Sequence, residues 1–184
     1  MTLTDRIEYD VQCLNTYFCQ LFEMAKVAGL QEMKNKTSAE ASEYFLAHNV
    51  TAFIRPDMVC NIYSLVDFWL PVLCQFHEKK MGLTLGHKDI KGSSDLNAYH
   101  KYLTKVAGLS LQRAKTSYDH LNNLRMVRNC CIHNGGHIKD EQQVQRFEKM
   151  PGITVFGSLV LIADTFVWAS MDHAKSYLCA VAKA

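Results

Sequence analysis

Leu124-Arg125-Met126-Val127-Arg128-Asn129-Cys130-Cys131-Ile132-His133-Asn134-Gly135-Gly136 closes on two adjacent glycines, and that stop decides how the run before it folds. Asparagine and glycine tolerate positive φ, so a helix arriving from the N-terminal side ends here with His133 in its last turn. The unpaired carbonyls of that turn favour an imidazolium. Turned by about 100° per residue from Leu111, the side chains of Leu111, Ala114, Tyr118, Leu121, Leu124, Cys131 and Ile132 fall within one arc, from roughly 200° to 360°. The periodicity predicts an amphipathic helix over 109–133.

Arg128 falls at about 260°, the centre of that arc. A guanidinium among apolar side chains needs a partner, because removing its charge from water is costly without compensation. An acid or a bound phosphate is expected to meet it. Asn122, Asn129 and His133, at about 20°, 0° and 40°, form a polar rim beside the arc. Arg128 and His133 stand about 140° apart around the helix, so one helix cannot stack them on a single strip. Two copies packed about a two-fold axis would bring each arginine to the other chain's histidine and make a composite cleft. A fixed cation, an amide and a group that moves protons near neutral pH suit phosphate-ester chemistry.

Arg128-Asn129-Cys130-Cys131-Ile132-His133 resembles the signature of the HEPN superfamily, in which an arginine is followed by a polar residue and then, four to six residues after the arginine, by a histidine. That resemblance implies an all-α helical bundle with the motif near a helix end. It also implies a metal-independent endoribonuclease whose site forms across a homodimer interface. On this likeness Arg128 and His133 are expected to be catalytic, with Asn129 orienting or supporting them. RNA and a second copy of the chain are the expected partners, and no cofactor or metal is expected. A toxin, phage-defence or RNA-processing role is implied, with an antitoxin or defence-system protein as a further partner. One departure concerns HEPN toxins paired with nucleotidyltransferase antitoxins, which often carry a tyrosine two places after the histidine. Gly135 stands there, so modification at that position is not expected.

Length and composition agree with a single domain over 1–184, since 184 residues with 48% hydrophobic content can supply a substantial core. The net charge of +2 offers no broad basic surface for nonspecific nucleic-acid binding. Lys79, Lys80, Lys88, Lys91, Lys101, Lys105, Arg113 and Lys115 are grouped in sequence, and a solvated surface is the favoured reading over an RNA track. Seven cysteines is an odd number, their spacings form no disulfide framework, and no leader-like pattern is visible. A cytoplasmic location is expected. The apolar run 58–76 contains Asn61, Asp67 and Pro71 and reads as a buried helix, with no membrane partner.

Outward from the motif, apolar residues at helical intervals predict a long first helix over 3–34 and a shorter second one beginning at Ser38. Arg55-Pro56-Asp57 reads as a turn opening a third helix over 58–80, with Pro71 inside it. A loop is expected over 82–94, a helix over 95–106, a short polar helix over 140–149 and a last helix over 163–182. The β-favouring composition of 152–162 fits a small hairpin. The expected fold is an all-α, HEPN-like bundle of about five or six helices.

Asp67 lies in the apolar setting Tyr63-Ser64-Leu65-Val66-Asp67-Phe68-Trp69-Leu70. It either supports Arg128 by fixing the guanidinium, or faces solvent or caps another group. Asp164 raises the same question or simply begins the final helix. His133 and His137 are separated by the glycines and lack a metalloprotease glutamate, and no phosphate loop, dinucleotide fingerprint or nucleophile elbow is present. Attack by a ribose 2′-hydroxyl on the adjacent phosphorus, with His133 moving a proton and Arg128 stabilising phosphoryl charge, is the expected chemistry. The rival is a noncatalytic helical dimer acting as an RNA- or nucleotide-binding or protein-interaction module.

Overall fold

The computed structural model describes the backbone of residues 1–34 and 41–184 and the side chains of residues 1–24 and 53–184. Among the described residues the order is α1 (Leu3–Lys34), α2 (Ala41–Met81), α3 (Asp95–Lys101), α4 (Lys115–Asn134), α5 (Glu141–Glu148), β1 (Ile153–Phe156), β2 (Leu159–Ile162) and α6 (Asp164–Lys183). The architecture is mostly helical with one small antiparallel hairpin, as the patterning predicts.

Helix α6 is the hub. Phe166, Val167, Ser170, Met171, Ala174, Tyr177, Leu178 and Val181 recur at helical spacing and are all buried, and α6 packs against α1, α2 and α4. Ile7, Val11 and Phe18 from α1, Met58, Ile62, Val66 and Leu73 from α2, and Leu121, Leu124 and Val127 from α4 complete the core. Each fully buried large apolar side chain of this kind contributes roughly 1.5–3 kcal/mol before conformational entropy is set against it. Trp69 is buried with its polar edge satisfied: the indole N–H donates to the Asp10 carboxylate at 3.0 Å, and the Arg6 guanidinium lies 5.6 Å from the ring centre.

The expected turn at Arg55-Pro56-Asp57 does not form. Helix α2 continues through it, with Pro56 and Pro71 both inside. An internal proline removes one donor and crowds the preceding turn, at a cost of about 3 kcal/mol. Two tertiary features oppose that break: Met58, Val59 and Ile62 are buried just beyond Pro56, and the Arg55 guanidinium pairs with Asp164 in the first turn of α6. Asp164 thus both begins the final helix and holds α2. The expected helix start at Ser38 lies outside the described residues. The segment Phe53–Met81 is long and apolar enough to cross a membrane, while Met58, Val59, Ile62, Val66, Trp69, Leu70 and Leu73 within it are packed in the core.

Helix α3 widens into a π-turn over Tyr102–Val106, where the Ala107 N–H donates to the Tyr102 carbonyl at 2.9 Å. Helix α4 begins at Lys115, later than the expected Leu109, after a 3-10 turn at Gln112–Ala114. Leu109 and Leu111 are buried from the loop itself, so the apolar spacing extends upstream of the helix.

Gly135 ends α4 in the left-handed region at φ 59°, and the N–H groups of Gly135 and Gly136 both donate to the Cys130 carbonyl. The chain then pairs directly with the hairpin. The Ile138 N–H donates to the Ser158 carbonyl at 2.7 Å, and the Val160 N–H donates to the Gly136 carbonyl at 2.9 Å. Asp140 caps α5, its carboxylate accepting from the N–H groups of Gln142 and Gln143. Strands β1 and β2 pair in register from Ile153 with Ile162 to Phe156 with Leu159. Gly152, at φ 80°, seats the hairpin on α6: a Cβ there would come within 2.9 Å of the Phe166 nitrogen.

Between α4 and α6 lies a polar seam. The imidazoles of His120 and His173 stack at 4.4 Å, and the Ser170 hydroxyl donates to the Phe166 carbonyl at 2.7 Å. With its proton used, that hydroxyl accepts from Nε2–H of His120 at 2.9 Å, which fixes the tautomer. Burial first, then the facing His173, pushes the His120 pKa down to about 4. The unfolded chain therefore binds this proton more readily, and the stabilisation present above about pH 6.5 is lost as pH falls towards 4. With the ring partly open to solvent, the loss is about 1 kcal/mol, or about 2–4 °C in melting temperature. Melting curves between pH 7 and pH 4 are expected to show this decline, and His120→Gln is expected to flatten it.

Candidate active site

The C-terminal half of α4 presents two different faces. Arg125, Asn129 and His133 follow one another at four-residue intervals, so they rise along one strip with about 6 Å between steps. Across from that strip α5 contributes Gln143 and Arg146, over a floor that includes Met126, Cys130 and the buried Phe147. Together these groups line a cleft of about 290 Å³. His133 is exposed at its mouth and Asn129 is half-buried in its wall.

Arg128 does not open onto this cleft. Its guanidinium lies 5.7 Å from the ring centre of Tyr63 on α2, and its Nη1 donates to the Asn129 Oδ1 at 3.0 Å. Asn129 is thus shared, holding Arg128 through its oxygen while its side chain lines the cleft beside His133. Within one copy the structure brings Asn129 and His133 together and leaves Arg128 on the α2 side. The wheel anticipates this separation.

It does not anticipate where the buried stripe goes. Arg128 is half-buried and not at the centre of the apolar face as expected, and Ile132, expected within that face, is 49% exposed. Leu121, Leu124, Val127 and Cys130 recur at three-residue steps, which turns the buried stripe away from Arg128 and Ile132 towards the C-terminal end. The cause is packing against α2 and α6 at once, which no single straight arc describes.

Of the residues that line the cleft, only Asn129 and His133 belong to the sequence-based set, and its two arginines, Arg125 and Arg146, do not. Arg125 was legible, because its spacing from Asn129 and His133 is that of one helical strip. Arg146 was not, since its placement depends on how α5 folds back after the α4 stop. The Arg125 Nε is buried and has no hydrogen-bond partner among the described residues. The cleft lining contains no aspartate or glutamate, and no ion pair engages Arg125, Arg146 or His133 among the described residues. His137 is engaged elsewhere, with Nδ1 2.9 Å from the Ser158 hydroxyl. Lys79, Lys80, Lys88, Lys91, Lys101, Lys105, Arg113 and Lys115 are all exposed.

Asp67 is half-buried and forms no ion pair with Arg128. The two nevertheless act on each other. Burial pushes the Asp67 carboxyl up to about 6, the Arg128 charge pulls it back, and Asp95 adds to the rise. Burial likewise raises the Tyr63 phenol, with Asp67 adding to the rise and Arg125 and then Arg128 opposing it, and raises the Cys60 thiol, partly opposed by Arg128. The Arg128 guanidinium therefore acts on the Asp67 carboxyl through space, with no ion pair between them. A carboxyl whose folded pKa exceeds its ordinary 3.8 favours folding below that value, and the advantage is lost as pH rises through about 6. Asp67→Asn is expected to raise the melting temperature at pH 8 by about 1–3 °C, the difference vanishing near pH 4. A lower melting temperature at pH 8 would instead mean that the charge holds Arg128 in place.

No family model, curated protein or solved structure matches the chain, so the site is defined by its own geometry.

Proposed function

We propose that the chain is a metal-independent endoribonuclease of HEPN type acting as a homodimer. The observation that carries this reading is the placement of His133 and Asn129 on a cationic cleft free of lining acids, at a capped helix end. An imidazole suits proton transfer, because one ring nitrogen can accept a proton while the other donates. Arg128 of a second copy completes the site, its guanidinium donating to the phosphoryl oxygens as negative charge builds on them. The ribose 2′-oxygen bonds to the adjacent phosphorus, and the bond from phosphorus to the 5′-oxygen breaks. His133 moves the accompanying proton, and a cyclic phosphate and a free 5′-hydroxyl are left. Ile132 on α4 and Phe68 on α2 are exposed and give a second copy apolar surface to cover.

A binding module without turnover is the second reading. It is favoured by the engagement of Arg128 with Asn129 and Tyr63, away from the cleft of its own chain.

His133→Ala is expected to slow cleavage of a labelled RNA by about 10²–10⁴-fold in chelator, and Arg128→Ala to do so comparably, with helicity unchanged. The matching DNA strand, lacking the 2′-hydroxyl, is expected to survive. Mixing the two inactive variants is expected to restore about a quarter of wild-type activity, because half of the dimers are mixed and each holds one intact composite site. Mixtures that stay inactive would rule out the shared site, and undiminished cleavage by both variants would remove the catalytic assignments.

A further inference from the structure

We infer that Arg125 and Arg146 form a phosphate seat within each single copy of the chain, holding a phosphodiester of a single-stranded RNA beside His133. The identification of RNA as the strand rests on the function proposed above, whereas the seat rests on the cleft alone.

Two guanidiniums reach the cleft from different helices, Arg125 from α4 and Arg146 from α5. Neither has an acidic partner among the described residues. The Arg125 Nε is covered by protein, which holds the base of the guanidinium in place, so a phosphate in the cleft meets its terminal Nη groups. Arginine forks match phosphate oxygens two at a time, and with no carboxylate in the wall nothing inside the cleft competes for them. The remaining lining is suited to the rest of a nucleotide. Asn129, Asn134 and Gln143 offer amide donors and acceptors for a ribose or base edge, and Met126 and Phe147 offer apolar contact. Arg146 is exposed, so its guanidinium is open to a strand entering from solvent. The seat also divides the labour between two arginines on α4: Arg125 holds the strand in its own copy, and Arg128 is left to act on the other.

The test uses a labelled, short 2′-O-methyl oligoribonucleotide, which binds as RNA but lacks the attacking hydroxyl, in chelator at low salt. Arg146→Ala, at an exposed position, and Arg125→Ala/Arg146→Ala are compared with Arg113→Ala, which removes one charge, as Arg146→Ala does, at an exposed site before the start of α4. The double variant is expected to bind at least about ten-fold more weakly, with the slope of log affinity against log salt shallower by about 1.4. Arg146→Ala is expected to fall between, and Arg113→Ala to match wild type. Wild-type-like binding by the double variant, equal weakening by Arg113→Ala, or absence of binding by the wild type would each overturn the seat. So would displacement of the oligonucleotide by an acidic peptide or by inorganic phosphate at comparable concentration. Failure of the nuclease reading looks different: natural RNA would be bound with the same dependence on Arg125 and Arg146 and would remain uncut by wild type. Cleavage lost in His133→Ala but unaltered in rate and KM by the double variant would retain the nuclease and reject the seat.

Discussion

Five residues separate Arg128 from His133, and a helix converts that interval into opposite directions. Because α4 must bury one stripe against both α2 and α6, its rotation is not free, and the two polar groups are delivered to different sides of the molecule. The guanidinium goes to Tyr63 and the neighbourhood of Asp67, while the imidazole goes to the cleft roofed by α5. Every chemical property of the region follows from that division. Asn129, at the intermediate azimuth, touches both sides and makes a hydrogen-bonded link across the helix.

The periodic signals were strong in the sequence where they were local. The long first helix, the glycine stop after His133, the short polar helix after Asp140 and the hairpin all rest on interactions within a few residues, and all are where the pattern puts them. Pro56 misled because its effect is local whereas its remedy is not: Asp164, more than a hundred positions away, secures Arg55 on the other side of the proline. Arg128 misled for a similar reason. A wheel treats the buried face as one fixed arc, and two neighbouring helices crossing α4 make it drift. Of the cleft, the Arg125-Asn129-His133 strip could be read from spacing, and Gln143 and Arg146 could not, since nothing near them in sequence says which way α5 returns.

Two half-buried ionisable groups give the fold opposing responses to acid. His120 resists protonation between α4 and α6, and Asp67 accepts it beside Arg128. Both act in the mildly acidic range, one weakening the fold and the other strengthening it as protons bind. Their locations differ in consequence. The histidine pair sits in the seam that holds α4 to α6, whereas Asp67 sits next to the guanidinium, so a proton gained there alters the field around Arg128 with no need to alter the packing.

The backbone leaving α4 enters the edge of the hairpin within two residues, and the hairpin is itself seated at Gly152 against the first turn of α6. His133 is thereby clamped between a helix end and a strand edge that share one hydrogen-bond register. A single residue inserted between Asn134 and Ile138 would shift that register by one, exchanging inward for outward side chains along the edge and displacing α5, with Gln143 and Arg146, relative to the imidazole. The spacing of this short connector is therefore as much a part of the cleft as the residues that line it.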